Sequence, residues 1–127
     1  MAATLSTAAR NAACDAIVDL IDGGASAGTL EIQNSGGTVL ATITLSDPAF
    51  GSAATGVATM AGVPLSDTSA DATGTAAKAR YKDSNGTVIV DEITVGTSGT
   101  QIIIDNTSIT TGQTVTVTAA TFTMPAS

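Results

Sequence analysis

Residues 29–45 read TLEIQNSGGTVLATITL, and this stretch decides the fold. Leu30 and Ile32 alternate with Thr29, Glu31 and Gln33; beyond Ser35-Gly36-Gly37, Val39, Ala41, Ile43 and Leu45 alternate with Thr38, Thr42 and Thr44. Period-two alternation on both sides of a glycine turn marks a hairpin with one buried face. The signature returns downstream. Lys78–Lys82 and Thr87–Val95 flank Asp83-Ser84-Asn85-Gly86, where Asn-Gly suits the positive φ angles of a tight turn. Ile102–Ile104 reads as a short strand ended by Asp105-Asn106. The last strand begins at Thr114 with Val115, Val117 and Ala119 on one face, then changes phase to Phe122 and Met124. A bulge near Ala119-Ala120 reconciles the two halves, and Pro125 ends the strand.

Upstream of this region the period is helical. STAARNAACDAIVDLIDGG, from Ser6, is rich in the best helix former, Ser6 or Thr7 can cap the first free N–H groups, and Gly23 suits a left-handed helix end. Ala9, Ala13, Ala16, Ile17 and Leu20 make an apolar stripe, with Asn11, Asp15, Asp19 and Asp22 off it. The stripe predicts a helix over 6–22 anchored by Ile17, Leu20 and Ile21. Between the hairpins, 46–74 holds Pro48, Pro64 and many Gly, Ser, Thr and Asp, with one strand signal at Val57–Ala61. A loop that long is unusual in a compact domain. It reads either as a hidden strand or as an arm that orders on a neighbouring subunit. No internal repeat of fixed period stands out. The single change of period at Gly23-Gly24 predicts one mainly β domain over 1–127: an antiparallel β-sandwich or barrel with one N-terminal α-helix packed on or beside it.

Composition narrows the chemistry. The chain of 127 residues has no His, no Trp, one Cys, and 11 acids against 4 bases, for a net charge of -7. Without His, neither Ser-His-Asp nor Cys-His catalysis can be assembled, and a single Cys cannot close a structural zinc site. A pI of about 4.1 argues against a binder that must neutralise phosphates. Asp15, Asp19 and Asp22 interrupt the apolar run that a signal peptide needs, and no stretch approaches a membrane span. The expectation is a soluble, non-enzymatic protein made inside a cell, with no cofactor, no metal, no nucleic acid and no membrane among its partners. Cys14 reads as a small buried hydrophobe, or less simply as an interchain bridge.

Each candidate site has a plain alternative. Asp83-x-Asn85-Gly86 faintly resembles a calcium loop, but Glu92 falls short of the position of its last ligand, so a hairpin turn is the better reading. Asp67 and Asp71 could join a cation site only if the fold brings them together. Asp91 and Glu92 are adjacent on a strand and face opposite sides; Asp15 and Asp19 share a helix face with nothing to perturb them. Asn85-Gly86-Thr87 and Asn106-Thr107-Ser108 match the glycosylation triplet and mean little without a secretory signal. Lys78, Arg80 and Lys82 are the distinctive feature: three of the four cations share one face of one strand. They form either a solvated face paired across the hairpin with Asp91 or Glu92, Asp91 lying opposite Arg80, or a docking stripe for an acidic protein surface. Tyr81 points the other way, so the stripe has no interleaved aromatic for base stacking.

TLSTAARNAACDAIVDLID, TLSDPAFG, SDTSADATGTAAKARYKDSNGTVIVDE and IDNTSITTGQTVTVTAATFTMPA together resemble small Ala/Thr/Gly-rich virion structural proteins of tailed bacteriophages. That resemblance implies a role in particle assembly. The scarcity of Trp and Tyr anchors fits attachment through symmetry and many copies. The expectation is a capsid decoration (cement) protein on the virion, bound to the outer lattice of major capsid protein as a homo-oligomer, with a trimer preferred. A tail or head–tail component is the alternative among structural proteins. A carbohydrate-binding β-sandwich module is the alternative from another class, with Tyr81, Phe50 and Phe122 as its only aromatics.

Overall fold

The computed structural model describes residues 4–24 and 26–124. Pro125, the expected stop of the last strand, lies outside them. One helix, α1 (Thr7–Ile21), precedes β1 (Thr29–Gln33), β2 (Val39–Thr44), β3 (Val57–Thr59), β4 (Leu65–Asp67), β5 (Gly74–Thr75), β6 (Lys78–Lys82), β7 (Val88–Gly96), β8 (Ile102–Ile104), β9 (Ser108–Ile109) and β10 (Val115–Thr123). The main sheet runs β2-β1-β6-β7-β8-β10-β3, with β4 also on β10, and it curls into a half-barrel; β5 and β9 form a separate pair. The fold is mainly β with one N-terminal helix. The sheet is mixed and not wholly antiparallel. β7 and β8 run parallel over Val95↔Ile102 and Gly96↔Ile103, because the turn after Gly96 brings the chain back beside its own strand.

The two hairpins are copies of one design, an internal repeat that the sequence does not display. In the first turn Asn34 Oδ1 accepts from the N–H groups of Gly36 and Thr38, and Gly37 has φ +90°. In the second, Asp83 Oδ1 accepts from Asn85 and Thr87, and Gly86 has φ +85°. Positive φ thus falls on the glycine alone, not on Asn85. Gln33↔Val39 and Ile32↔Ala41 in one hairpin match Lys82↔Val88 and Tyr81↔Val90 in the other, so Leu40 and Ile89 sit in equivalent bulges. The two copies lie 49 residues apart, but only Ser35/Ser84, Gly37/Gly86, Thr38/Thr87 and Val39/Val88 are identical between 29–42 and 78–91, too few to stand out as a repeat. Glu92, at φ +56°, makes a second bulge before Ile93 and Thr94 resume the register of Ile43 and Thr44. β1 and β6 pair antiparallel with Glu31 directly opposite Arg80. Since these two residues are themselves equivalent, the hairpins are related by a local two-fold axis passing between them.

The 46–74 stretch packs against the same body. β3 pairs with the second half of β10 and β4 with its first half, while Ala49, Phe50, Ala58, Met60 and Ala70 are buried. Asp67 Oδ2 accepts the N–H of Thr42 at 3.0 Å, and Asp71 Oδ2 accepts its hydroxyl at 3.2 Å. Leu40 O accepts from Asp71 N–H at 2.7 Å. These bonds satisfy backbone on the outer edge of β2, which a sheet edge would otherwise expose to another strand. The phase change in β10 is a bulge, one residue earlier than expected: Val117 pairs with Ile104 and Ala119 with Ile103, leaving Thr118 extra. Ala120, not Ala119, is buried as a result.

The helix lies the other way round from its apolar stripe. Ser6 caps it, accepting from Ala9 N–H at 3.1 Å. Its buried residues are Cys14, Val18 and Ile21, whereas Ala9 and Ala16 are exposed and Leu20 is 57% exposed. Of the expected anchors only Ile21 serves; Ile17 is half-buried. The cause is polar. Asn11 Oδ1 accepts from Gly56 N–H, Asp15 Oδ1 from Ala53 N–H, and Asp22 Oδ1 from Ala49 N–H, at 2.7, 2.7 and 2.8 Å. The loop pairs with 57–61 only through isolated bridges, so its remaining N–H groups need acceptors, and Asn11, Asp15 and Asp22 of the helix supply them. Arg10 Nε donates to Met124 O at 3.1 Å, tying the helix to the chain just beyond β10. Gly24, not Gly23, takes the left-handed conformation after the helix.

Candidate docking surface

β6 runs between β1 and β7, so its side chains alternate strictly between core and outer face. Ala79 and Tyr81 are fully buried, and Lys78, Arg80 and Lys82 stand together on the outside. Tyr81 meets Phe50 edge-on, with ring centroids 5.4 Å apart. Burial pushes its phenol above the ordinary range, and its hydroxyl has no hydrogen-bond partner among the described residues.

The stripe is partly neutralised, and mainly by a residue that sequence reading missed. Arg80 Nε lies 2.7 Å from Glu31 Oε1, and Lys82 Nζ lies 3.3 Å from Glu31 Oε2. Lys78 Nζ lies 2.9 Å from Glu92 Oε1. Asp91, expected opposite Arg80, makes none of these pairs; its carboxylate accepts Glu92 N–H across the bulge at 2.8 Å. Glu31 belongs to the other hairpin. Pairing of β1 with β6 is non-local, so the spacing of residues 78–82 carried no sign of it. The one available signal was that Glu31 occupies an outward position between Leu30 and Ile32. Three cations therefore share two carboxylates. The Lys78, Arg80 and Lys82 side chains remain 25, 27 and 22% exposed.

The other candidates resolve into structure. Asp83 is the turn acceptor, and Asp67 and Asp71 do come together, but on Thr42. Among the described residues no group of three or more His, Cys, Asp or Glu side chains is placed to hold a metal ion. Cys14 is fully buried, and burial pushes its thiol upward, with Asp15 adding to the rise against a hydrogen bond from Ala58. A cleft of about 320 Å³ lies between the helix and the following loop, lined by Asp15, Val18, Asp19, Pro48, Phe50, Gly51 and Ser52. Within it the Asp15 carboxylate is held by the N–H of Ala53. None of the three aromatics is exposed. No described helix is long and apolar enough to cross a membrane. The chain matches no family model, no curated protein and no solved structure.

Proposed function

We propose that this chain is a virion structural protein of a tailed bacteriophage, a capsid decoration (cement) protein that binds the outer major-capsid-protein lattice without catalysing a reaction. The observation that carries the proposal is the outer face of β6. A chain of net charge -7 gathers Lys78, Arg80 and Lys82 on one strand and leaves them one carboxylate short. Such a face suits an acidic protein surface, and repetition of the contact over a lattice multiplies a modest affinity. Copies that also touch one another would add to this avidity. The carbohydrate-binding alternative has less behind it, since a sugar ring stacks on an exposed aromatic and Tyr81, Phe50 and Phe122 offer none. The test is cryo-EM of purified particles. Density fitting this half-barrel on the outer capsid lattice is the expected result. Density on the tail would move the protein to the head–tail or tail class, and its absence from particles would overturn the proposal.

A further inference from the structure

The helix buries Cys14, Val18 and Ile21, is tied along one flank by Asn11, Asp15 and Asp22, and turns an alanine-rich face outward. Thr7, Ala8, Ala9, Ala12, Ala16, Asp19 and Leu20 are its exposed members, and Leu5, just ahead of it, is 40% exposed. Leu5 and Leu20 are two of the three exposed large hydrophobics among the described residues. Ala8, Ala9, Ala12, Ala16 and Leu20 follow three- and four-residue spacing, so they form one face along the whole element. Its electrostatics are also reversed. The first turn holds no acidic residue and the last turn no basic one, while Asp19 stands exposed near the negative end of the macrodipole.

A second copy of the same helix, laid antiparallel, answers both features. We infer that the outer face of α1 is a self-association surface that pairs two copies about a two-fold axis between residues 12 and 13. Ala9 then faces Ala16 of the second copy, Ala12 faces Ala13, and alanines permit close backbone approach. Each Asp19 comes beside the first turn of the other helix, where the free N–H groups favour a negative charge. A parallel pair would instead place the two Asp19 carboxylates side by side. An unrelated apolar helix would cover the face without supplying that charge match. The contact is two-fold, so a three-fold ring would have to use another surface. It also stands apart from particle attachment through β6, because it forms in solution with no particle present. One face of a helix about 22 Å long covers less than the roughly 800 Å² per partner of a standard interface, so the pair is weak and reversible.

Cysteine placement tests this geometry, because a disulfide requires Cα atoms within about 7 Å. Ala12→Cys, next to the axis, should give a disulfide-linked dimer on mild oxidation. Ala9→Cys and Ala16→Cys place like positions about 10 Å apart along the axis, so each alone should form no interchain disulfide and their mixture should form the disulfide-linked heterodimer. Wild type, whose Cys14 is buried, is the control. Sedimentation equilibrium up to about 1 mM protein, in about 0.5 M salt to screen the repulsion between like-charged chains, should show mass rising toward a dimer. Ala16→Glu, an exposed helical position that leaves the fold intact, should abolish that rise. A wild-type chain monomeric throughout overturns the proposal. So do homodisulfides from Ala9→Cys or Ala16→Cys as abundant as the mixed product.

Discussion

The two hairpins share a turn, a register and a bulge, yet later chain folds over the second strand of β1–β2 and leaves the equivalent part of β6–β7 more open. Leu40 is fully buried under the chain that follows β4, and Gly74 sits against it, since a Cβ there would lie 3.0 Å from Leu40 Cδ2. Its equivalent, Ile89, is half-buried. Thr42, the equivalent of Asp91, has its N–H and hydroxyl taken by Asp67 and Asp71. In the second hairpin the added residue Glu92 bends the strand and reaches Lys78. The same local sequence logic therefore serves two ends, and what differs is whether the rest of the chain folds over it.

The sharpest way to break that comparison is a matched truncation. Leu40→Ala should destabilise the protein by about 2–5 kcal/mol, as for a filled core site, and Ile89→Ala by about 1 kcal/mol, both read from urea unfolding. Equal losses would mean that the two hairpins are equally covered. The turns should behave alike where the strands do not. A Cβ at Gly37 or Gly86 meets nothing within 4 Å, so alanine adds only the strain of positive φ. About 1–2 kcal/mol should be lost at each position, and a large difference between them would deny the shared turn geometry.

Much of this was legible in the sequence, for a local reason. Glycine turns at 35–37 and 83–86, the Ser6 cap and period-two alternation all act within a few residues, so both hairpins and the limits of the helix could be read directly, although the left-handed residue after the helix is Gly24 and not Gly23. What failed was non-local. The strand signal at Val57–Ala61 is β3, but β4 has only three residues and exists because β10, some fifty residues on, pairs with it. The helix was turned the wrong way because alanine marks no face, while the demand of the 49–56 backbone for Asn11, Asp15 and Asp22 is invisible in a helical period. Glu31 was missed as the counter-ion of Arg80 and Lys82 for the same reason.

Tyr81 occupies the place that Ile32 holds in the first hairpin, and it carries a hydroxyl with no hydrogen-bond partner among the described residues. Tyr81→Phe should stabilise the protein by about 1 kcal/mol at neutral pH. Its phenol and the Cys14 thiol both have folded-state pKa values raised by burial. The unfolded chain therefore loses these protons first as pH rises. Stability should hold below about pH 9 and fall above it, and Tyr81→Phe should remove the part of the fall that begins near pH 10. Unfolding curves from pH 7 to 11 check this; an unchanged alkaline limb would show that Tyr81 is not sealed in the core. The smallest effect belongs to the ion pairs. Glu31→Gln should cost about 1 kcal/mol because it leaves two cations unpaired, against a few tenths for Glu92→Gln, whose side chain is 69% exposed. Equal costs in thermal unfolding would mean that Glu31 is no more than a surface charge.

The outward hairpin is where the proposed attachment to a particle rests, and one binding measurement reaches it directly. Particles lacking the protein are mixed with wild type or with the folded triple variant Lys78→Gln, Arg80→Gln, Lys82→Gln, and occupancy is followed across a salt series. If the stripe docks on an acidic lattice, wild-type occupancy falls toward 1 M salt, where the Debye length shrinks to about 3 Å, and the variant binds weakly at every salt concentration. Equal occupancy of the two proteins, with no dependence on salt, would contradict the docking role of β6.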